Sequence, residues 1–253
     1  MIPKKIHYIW LGGKPLPKMV KKCMKTWSKC CPDYEIVRWD ETNLNLDINT
    51  YCRQAYDSKK YAFASDVLRF EILKNEGGIY LDVDVELFKS LDNLLDCKAF
   101  TGLEKGDNYL AIAPGLIFGS EKNGEFVSAI LEKYNNDVFV RENGEINLET
   151  VCQKTTNYIV DKYNFELTNE IHKLDEIILY PTEYFCPLNA VTKEADYLTE
   201  NTYSQHLYLA SWVKKPNIFK RIKIWFKKFV KFILGKKNYE KLKGKIKGEN
   251  NGK

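Results

Sequence analysis

Two carboxylates, Asp82 and Asp84, stand one residue apart in the run Ile79–Val85 (IYLDVDV). Along an extended strand alternate side chains share a face, so both acids point one way while Leu81, Val83 and Val85 pack on the other. Side by side they repel one another unless a cation neutralises them. Oxygen ligands of this kind suit Mg²⁺ or Mn²⁺, which complete their shells with phosphates and water. A solvated strand end is the competing explanation; the apolar approach GGIYL argues against it. A second pair, Asp66 and Arg69, lies three residues apart on a stretch that is otherwise apolar, so both project from one side of a helix. Such a pair is either a salt bridge tying helix to sheet or a device that fixes sugar hydroxyls and balances phosphate charge. The choice turns on whether it faces the same crevice as Asp82 and Asp84, and the tight Gly77-Gly78 connection back from the helix favours that arrangement.

The elements that must position these groups follow from pattern and punctuation. Lys5–Leu11 (KIHYIWL) reads as a first strand, closed by Gly12-Gly13 and the Pro15/Pro17 turn. A helix is expected through Val20–Lys29, a strand at Glu35–Trp39 and a short helix near Thr50–Tyr56. Tyr61–Asn75 is helical by length and by its glycine stop, and Phe63, Val67, Leu68, Phe70, Ile72 and Leu73 make it largely buried. Further strands are expected at Ile79–Val85, Ala99–Leu103, Leu110–Phe118 and Ile177–Tyr180, with helices at Gly124–Asn135 and Leu148–Tyr163. Alternating strands and helices give an α/β sheet, mostly parallel at its start.

The chain has 253 residues, 44% hydrophobic and 13% aromatic, which is ample for one large packed domain. Its seven cysteines (Cys23, Cys30, Cys31, Cys52, Cys97, Cys152, Cys186) form no C-x-x-C pair, so a zinc ribbon is excluded. With no signal peptide ahead of the first strand, they read as reduced thiols of a cytosolic protein. Charge is segregated. Lys214–Lys253 holds fifteen Lys/Arg against two acids, or +13, so residues 1–213 carry −8 of the chain's +5. Within Ile218–Leu234, Ile218, Phe219, Ile222, Trp225, Phe226, Phe229, Val230, Phe232 and Ile233 fall in one helical sector. Lys220, Arg221, Lys223, Lys227, Lys228 and Lys231 fall in the other. That pattern fits a helix lying in a membrane interface rather than crossing it. A helix docked on the protein's own core is the alternative; nucleic acid gives so broad an apolar face no use.

Three ordered segments make the sequence familiar: IPKKIHYIWLGG (Ile2–Gly13), YAFASDVLRFEILKNEGGIYLDVDVE (Tyr61–Glu86) and HLYLASW (His206–Trp212). Together they resemble glycosyltransferase family 32, DXD-motif enzymes that include yeast-type Golgi mannosyltransferases and bacterial polysaccharide enzymes. The middle segment is also similar to the clostridial glucosylating toxins. The resemblance implies the GT-A nucleotide-diphospho-sugar transferase fold, Rossmann-like, over residues 1–213, with 214–253 as a basic membrane-contacting tail. It implies that Trp10 stacks on the nucleotide base, that Asp66 and Arg69 hold the donor sugar, and that Tyr80 lines the nucleotide pocket. Asp82 would stand near the ribose and the metal's water shell, with Asp84 the direct ligand of Mn²⁺ or Mg²⁺. His206 would be a further metal or diphosphate contact, and Ser211 and Trp212 would close over the diphosphate. The chain departs from the family at Ala113-Pro114-Gly115, where many members are Asn-rich, and at Thr150-Val151-Cys152, where many have Thr-Gly-Pro. Those departures bear on the identity of the sugar and leave the metal-diphosphate assignment untouched.

The expected reaction is metal-dependent transfer of a hexose, from a UDP-sugar in the first instance, to a glycan or lipid-linked acceptor. Retention of anomeric configuration is implied by the resemblance, and the expected setting is surface polysaccharide biosynthesis at the cytosolic membrane face. Two rivals remain. A D-x-D strand end also opens the haloacid-dehalogenase phosphatases, which would leave Asp66 and Arg69 unexplained. A membrane-attached module that binds sugar nucleotides without turning them over would share every motif.

Overall fold

The structure is a computed structural model that describes residues 1–106, 109–187 and 198–209. Lys5–Ile9 (β1) is buried along almost its whole length and pairs in parallel with Glu35–Trp39 (β2). Between them Lys18–Cys30 (α1) buries Val20, Cys23 and Trp27, which recur at helical spacing. Asn49 opens Thr50–Asp57 (α2) by accepting a hydrogen bond from the Cys52 amide, 2.8 Å. The next helix, Tyr61–Glu76 (α3), is apolar around most of its circumference because it lies beneath α2 and against the sheet. It stops at Gly77, whose φ of +65° lies in the region that favours glycine. Gly78 follows with φ +101°, where a side chain would meet His7 Nε2 at 2.8 Å, and this close passage sets Gly78–Tyr80 (β3) directly beside β1.

The remaining elements are Val85–Leu87 (β4), Ala99–Lys105 (β5), Leu110–Ile112 (β6), Phe118–Ser120 (β7), Glu125–Asn135 (α4) and Val151–Tyr163 (α5). His172–Lys173 (β8), Ile178–Tyr180 (β9), Thr182–Phe185 (α6) and Ser204–His206 (β10) complete them. The main sheet runs β2-β1-β3-β7-β5-β9-β8, with β6 alongside β5. It is parallel at the β2-β1-β3 end and at β5·β9, and antiparallel where β7 and β8 enter. One apolar cluster, around Phe70, Phe118 and Tyr134, fills the side covered by α2 to α5. A second, around Trp27, Ile79 and Phe185, fills the side of α1 and α6. This is the α/β architecture expected from the sequence. Among the described residues no helix is long and apolar enough to cross a membrane.

Two expected strands are broken, each for a local reason. Ile79–Val85 is not one strand: β3 ends at Tyr80, and the Val85 amide closes a turn onto the Asp82 carbonyl at 3.1 Å. Beyond that turn β4 leaves the main sheet to pair antiparallel with β10. The alternation of facing still holds, since Leu81, Val83 and Val85 all lie in the second cluster. Leu110–Phe118 divides into β6 and β7 at Ala113-Pro114-Gly115, where Pro114 has no amide hydrogen to give a ladder. The Leu148–Tyr163 helix begins only at Val151, because Thr150 and Gln153 form a capping box. All seven cysteines are free. Ser211, Trp212 and the expected tail lie outside the described residues.

Candidate active site

Parallel strands open their ligand crevice at their carboxyl ends. At the ends of β1 and β3 lie Trp10 and the segment Leu81–Asp84, and α3 delivers Asp66 and Arg69 to the same place. Arg69 Nη2 stands 2.7 Å from Asp66 Oδ1 and 3.6 Å from Asp82 Oδ1. Its guanidinium lies 4.6 Å over the Tyr80 ring, and the Tyr80 hydroxyl donates to Asp82 Oδ1 at 2.9 Å. The pair on the helix and the pair after β3 therefore share one crevice, the condition on which a sugar-holding role depends. Arg69 is only 3% exposed, yet its Nη1 has no hydrogen-bond partner. A buried guanidinium nitrogen left unpaired is costly unless something arrives to accept from it. Burial pushes the Asp66 carboxyl up to about 6 against the pull of Arg69, and it raises Asp82 as well.

The second half of the crevice is built by a two-stranded ribbon outside the main sheet. Antiparallel pairing of β10 with β4 sets His206 opposite Val85, beside the Asp82–Asp84 turn. His206 Nε2 lies 3.0 Å from Asp84 Oδ1 and 3.8 Å from Asp82 Oδ2. It is near enough for charge attraction but off the line of a hydrogen bond, so both ring nitrogens are buried without a partner. Asp84 is also buried, and its Oδ2 accepts from the Leu209 amide at 2.7 Å. Burial works to raise the Asp84 carboxyl, but His206 and the Leu209 amide outweigh it and hold it below the usual carboxylate range. For His206 burial opposes the charged form, and Asp84 followed by Asp82 overcome it, so the imidazole is raised.

This donor set fits a hard divalent cation. Two carboxylates two positions apart in one turn converge with a buried imidazole, and their cationic neighbours are Arg69 and His206. Among the described residues no three His, Cys, Asp or Glu side chains form a complete metal-binding group. An ion here would draw part of its shell from a phosphate-bearing ligand and water, as Mg²⁺ and Mn²⁺ commonly do.

Sequence reasoning missed several contributors. Gly115 packs its Cα against the carboxylates: a Cβ there would come 2.6 Å from Asp82 Oδ2 and 3.1 Å from Arg69 Nη1, and its carbonyl accepts from the Asp82 amide. The Ala113-Pro114-Gly115 departure marked this position without revealing its neighbours. Tyr208, with φ +48°, sets its ring edge on His206 at 4.3 Å, and its hydroxyl donates to Glu104 Oε2 at 3.2 Å. Glu104 carries no signal in the sequence, being one more acid near a strand end. Trp10 belongs to a separate corner of the same edge, its Nε1 donating to Lys14 O at 2.5 Å. There Gly12 (φ +88°) passes so close to Tyr61 that a Cβ would lie 2.7 Å from the ring, and Glu41 accepts from the Gly12 amide and the Tyr56 hydroxyl.

Comparison with known proteins agrees with this geometry. Residues 17–101 match the glycosyltransferase sugar-binding region containing DXD motif. An uncharacterised glycosyltransferase of Acanthamoeba polyphaga mimivirus is 28% identical over 92% of this chain and 92% of its own length. Inositol phosphoceramide mannosyltransferase 3 of Schizosaccharomyces pombe is 37% identical over 39% of this chain, which spans only 29% of that protein. Among solved structures, the PaToxG glycosyltransferase superposes with a TM-score of 0.52 at 22% identity, covering 64% of this chain and 70% of that one, and so shares the fold. With a DXD region, a glycosyltransferase relative matched nearly end to end and the GT-A architecture, the chain is similar to the DXD-motif glycosyltransferases in sequence and shares their fold.

Proposed function

We propose that the protein transfers a hexose from a nucleotide-sugar, a UDP-sugar first among candidates, to a glycan or lipid-linked glycan, with a divalent cation. The observation that carries this reading is the buried Arg69, whose Nη2 lies between Asp66 and Asp82 while its Nη1 has no hydrogen-bond partner, beside the Asp84–His206 pair. Asp84 and His206 would hold the cation, with Asp82 beside it toward its water shell. When bound, that ion supplies positive charge to the departing diphosphate, the main electrostatic need of glycosyl transfer. Arg69 Nη1 donates to a sugar or phosphate oxygen, and Asp66 accepts from a sugar hydroxyl. Tyr80 fixes Asp82, while Glu104 acts through Tyr208 to orient His206. The Trp10 and Tyr61 corner receives the base.

The acceptor hydroxyl attacks the anomeric carbon as the bond to the diphosphate breaks, and its proton passes to a diphosphate oxygen, giving retention. The fission-yeast relative's name pairs mannosyl transfer with a lipid acceptor, which supports a lipid-linked acceptor; the setting we propose with it is surface polysaccharide synthesis at the cytosolic membrane face. The phosphatase reading falls away, since Asp66 and Arg69 now have a place beside Asp82. Screening the purified protein against UDP- and GDP-hexoses with Mn²⁺ or Mg²⁺ tests the proposal. Release of UDP or GDP with metal is expected; binding without turnover of any donor would favour the inactive module.

A further inference from the structure

The body of the chain is acidic, yet between Gly12 and Pro32 it holds six lysines and no acid. Five of these lie on α1. At about 100° per residue, Lys18, Lys21, Lys22, Lys25 and Lys29 fall within an arc of about 100° opposite the buried Val20, Cys23 and Trp27. All five are exposed, as is Lys14 just ahead of the helix. Four lysines elsewhere are paired with carboxylates: Lys4 with Asp33 and Asp92, Lys5 with Glu76, Lys154 with Asp137 and Glu149, Lys162 with Glu125 and Glu176. None of the α1 five has a carboxylate partner among the described residues. They make a line of like charge about 17 Å long on one side of a rigid helix. Such a line repels itself unless an anionic surface meets it.

We propose that this face of α1 docks the enzyme on an anionic lipid bilayer. The surroundings of the lysines choose lipid over nucleic acid. Met19 is exposed, and a shallow groove between the charges is lined by Leu16, Met24 and Ser28 with Lys21 and Lys25. Apolar side chains interleaved with lysines suit the boundary between headgroups and acyl chains, whereas a phosphate backbone alone offers them nothing. The inner face of the same helix holds the active-site ribbon: Trp27 Nε1 donates to Val85 O at 2.7 Å, and the Leu87 amide donates to Thr26 Oγ1 at 2.9 Å. Docking through α1 therefore sets the strand that follows Asp84 about one helix diameter, about 10 Å, from the headgroups. A sugar acceptor carried on a lipid would lie within that reach. The inference depends neither on the donor chemistry nor on the C-terminal segment.

The test compares three full-length proteins: wild type, a variant with Lys18, Lys21, Lys22, Lys25 and Lys29 all changed to Gln, and one with all five changed to Arg. Each is titrated with phosphatidylcholine vesicles with and without phosphatidylglycerol, and with a DNA duplex. Wild type and the Arg form are expected to bind the phosphatidylglycerol vesicles alike, and the Gln form at least about tenfold more weakly, with equal melting temperatures. Added salt is expected to narrow the gap. Equal vesicle binding by wild type and the Gln form, no preference for phosphatidylglycerol, or a loss seen on DNA and not on vesicles would each overturn it. Donor turnover measured without vesicles on the same preparations separates the outcomes. Its failure would fault the proposed function and leave the docking result standing.

Discussion

The crevice has two sides that are built in opposite ways. On the side proposed to hold the sugar, Asp66 and Arg69 are three residues apart on one buried helix, already paired at 2.7 Å. On the side proposed to hold the cation, Asp84 and His206 come from distant parts of the chain and meet because β10 pairs with β4 outside the main sheet. Burial raises Asp66 to about 6, whereas His206 and the Leu209 amide hold Asp84 low. One carboxylate is kept at the edge of protonation by a local helix, and the other is kept charged by a long-range contact. The difference teaches that one charged pair is written into a single helix turn, while the other exists only once the fold brings two distant segments together.

The largest effect is expected at Asp84. Asp84→Asn keeps an oxygen to accept from the Leu209 amide but loses the charge, and turnover is expected to fall on the order of a hundredfold or more. Repulsion relieved at the turn is offset by the loss of the His206 partner, so melting temperature serves as the control. A variant with near wild-type turnover would dissolve the contrast between the two sides.

Asp66→Asn comes next. If Asp66 holds the sugar, kcat falls by about tenfold or more while affinity for free nucleotide is retained. If the pair only ties helix to sheet, stability drops and the folded fraction stays active. The pH behaviour sharpens this. In wild type, turnover is expected to decline as pH falls through about 6, where Asp66 takes up its proton. Because its folded value lies above the ordinary 3.8, Asp66 contributes stability that is full below about 4 and lost as pH rises through about 6. Asp84 has the opposite sign: its contribution is present above the ordinary value and lost as pH falls through its lowered one. Melting curves between pH 7 and 5 should thus favour wild type increasingly over Asp66→Asn. A difference that stays constant across that window would contradict the assignment.

Smaller effects mark the frame. Gly115→Ala places a methyl 2.6 Å from Asp82 Oδ2, so donor KM is expected to rise severalfold with a modest stability loss. Thr150→Ala removes the α5 cap, whose side-chain hydrogen bonds run to Gln153 and to none of the site carboxylates, costing about 1 kcal/mol of stability with kcat unchanged. If Thr150→Ala slowed turnover as much as Gly115→Ala, the crevice would extend further than the contacts place it.

What could be read from the sequence was what is local. The face shared by Asp66 and Arg69, the glycine stop at Gly77 and the apolar approach to Asp82 are written within a few residues of one another, and the structure keeps them. The residues of the Asp82–Asp84 turn alternate as strand residues do, so their pattern predicts a continuous strand; the segment beyond the turn pairs with β10, which no local pattern announces. Glu104 and Tyr208 escaped for the same reason, since their meaning lies in a contact between β5 and the segment after β10. Gly115 was visible only as a departure from pattern. His206 was placed by family resemblance alone, and the ribbon is the physical cause of its position.

The central claim, that Asp84 and His206 hold a cation which in turn holds the donor's diphosphate, is tested most directly by calorimetry of UDP and GDP binding to wild type and Asp84→Asn, in Mn²⁺ and in excess EDTA. For the matching nucleotide, the wild-type protein is expected to bind at least about tenfold more tightly with Mn²⁺, and Asp84→Asn to show no such gain. Equal affinity in EDTA and Mn²⁺, or a full metal-dependent gain in Asp84→Asn, would contradict it.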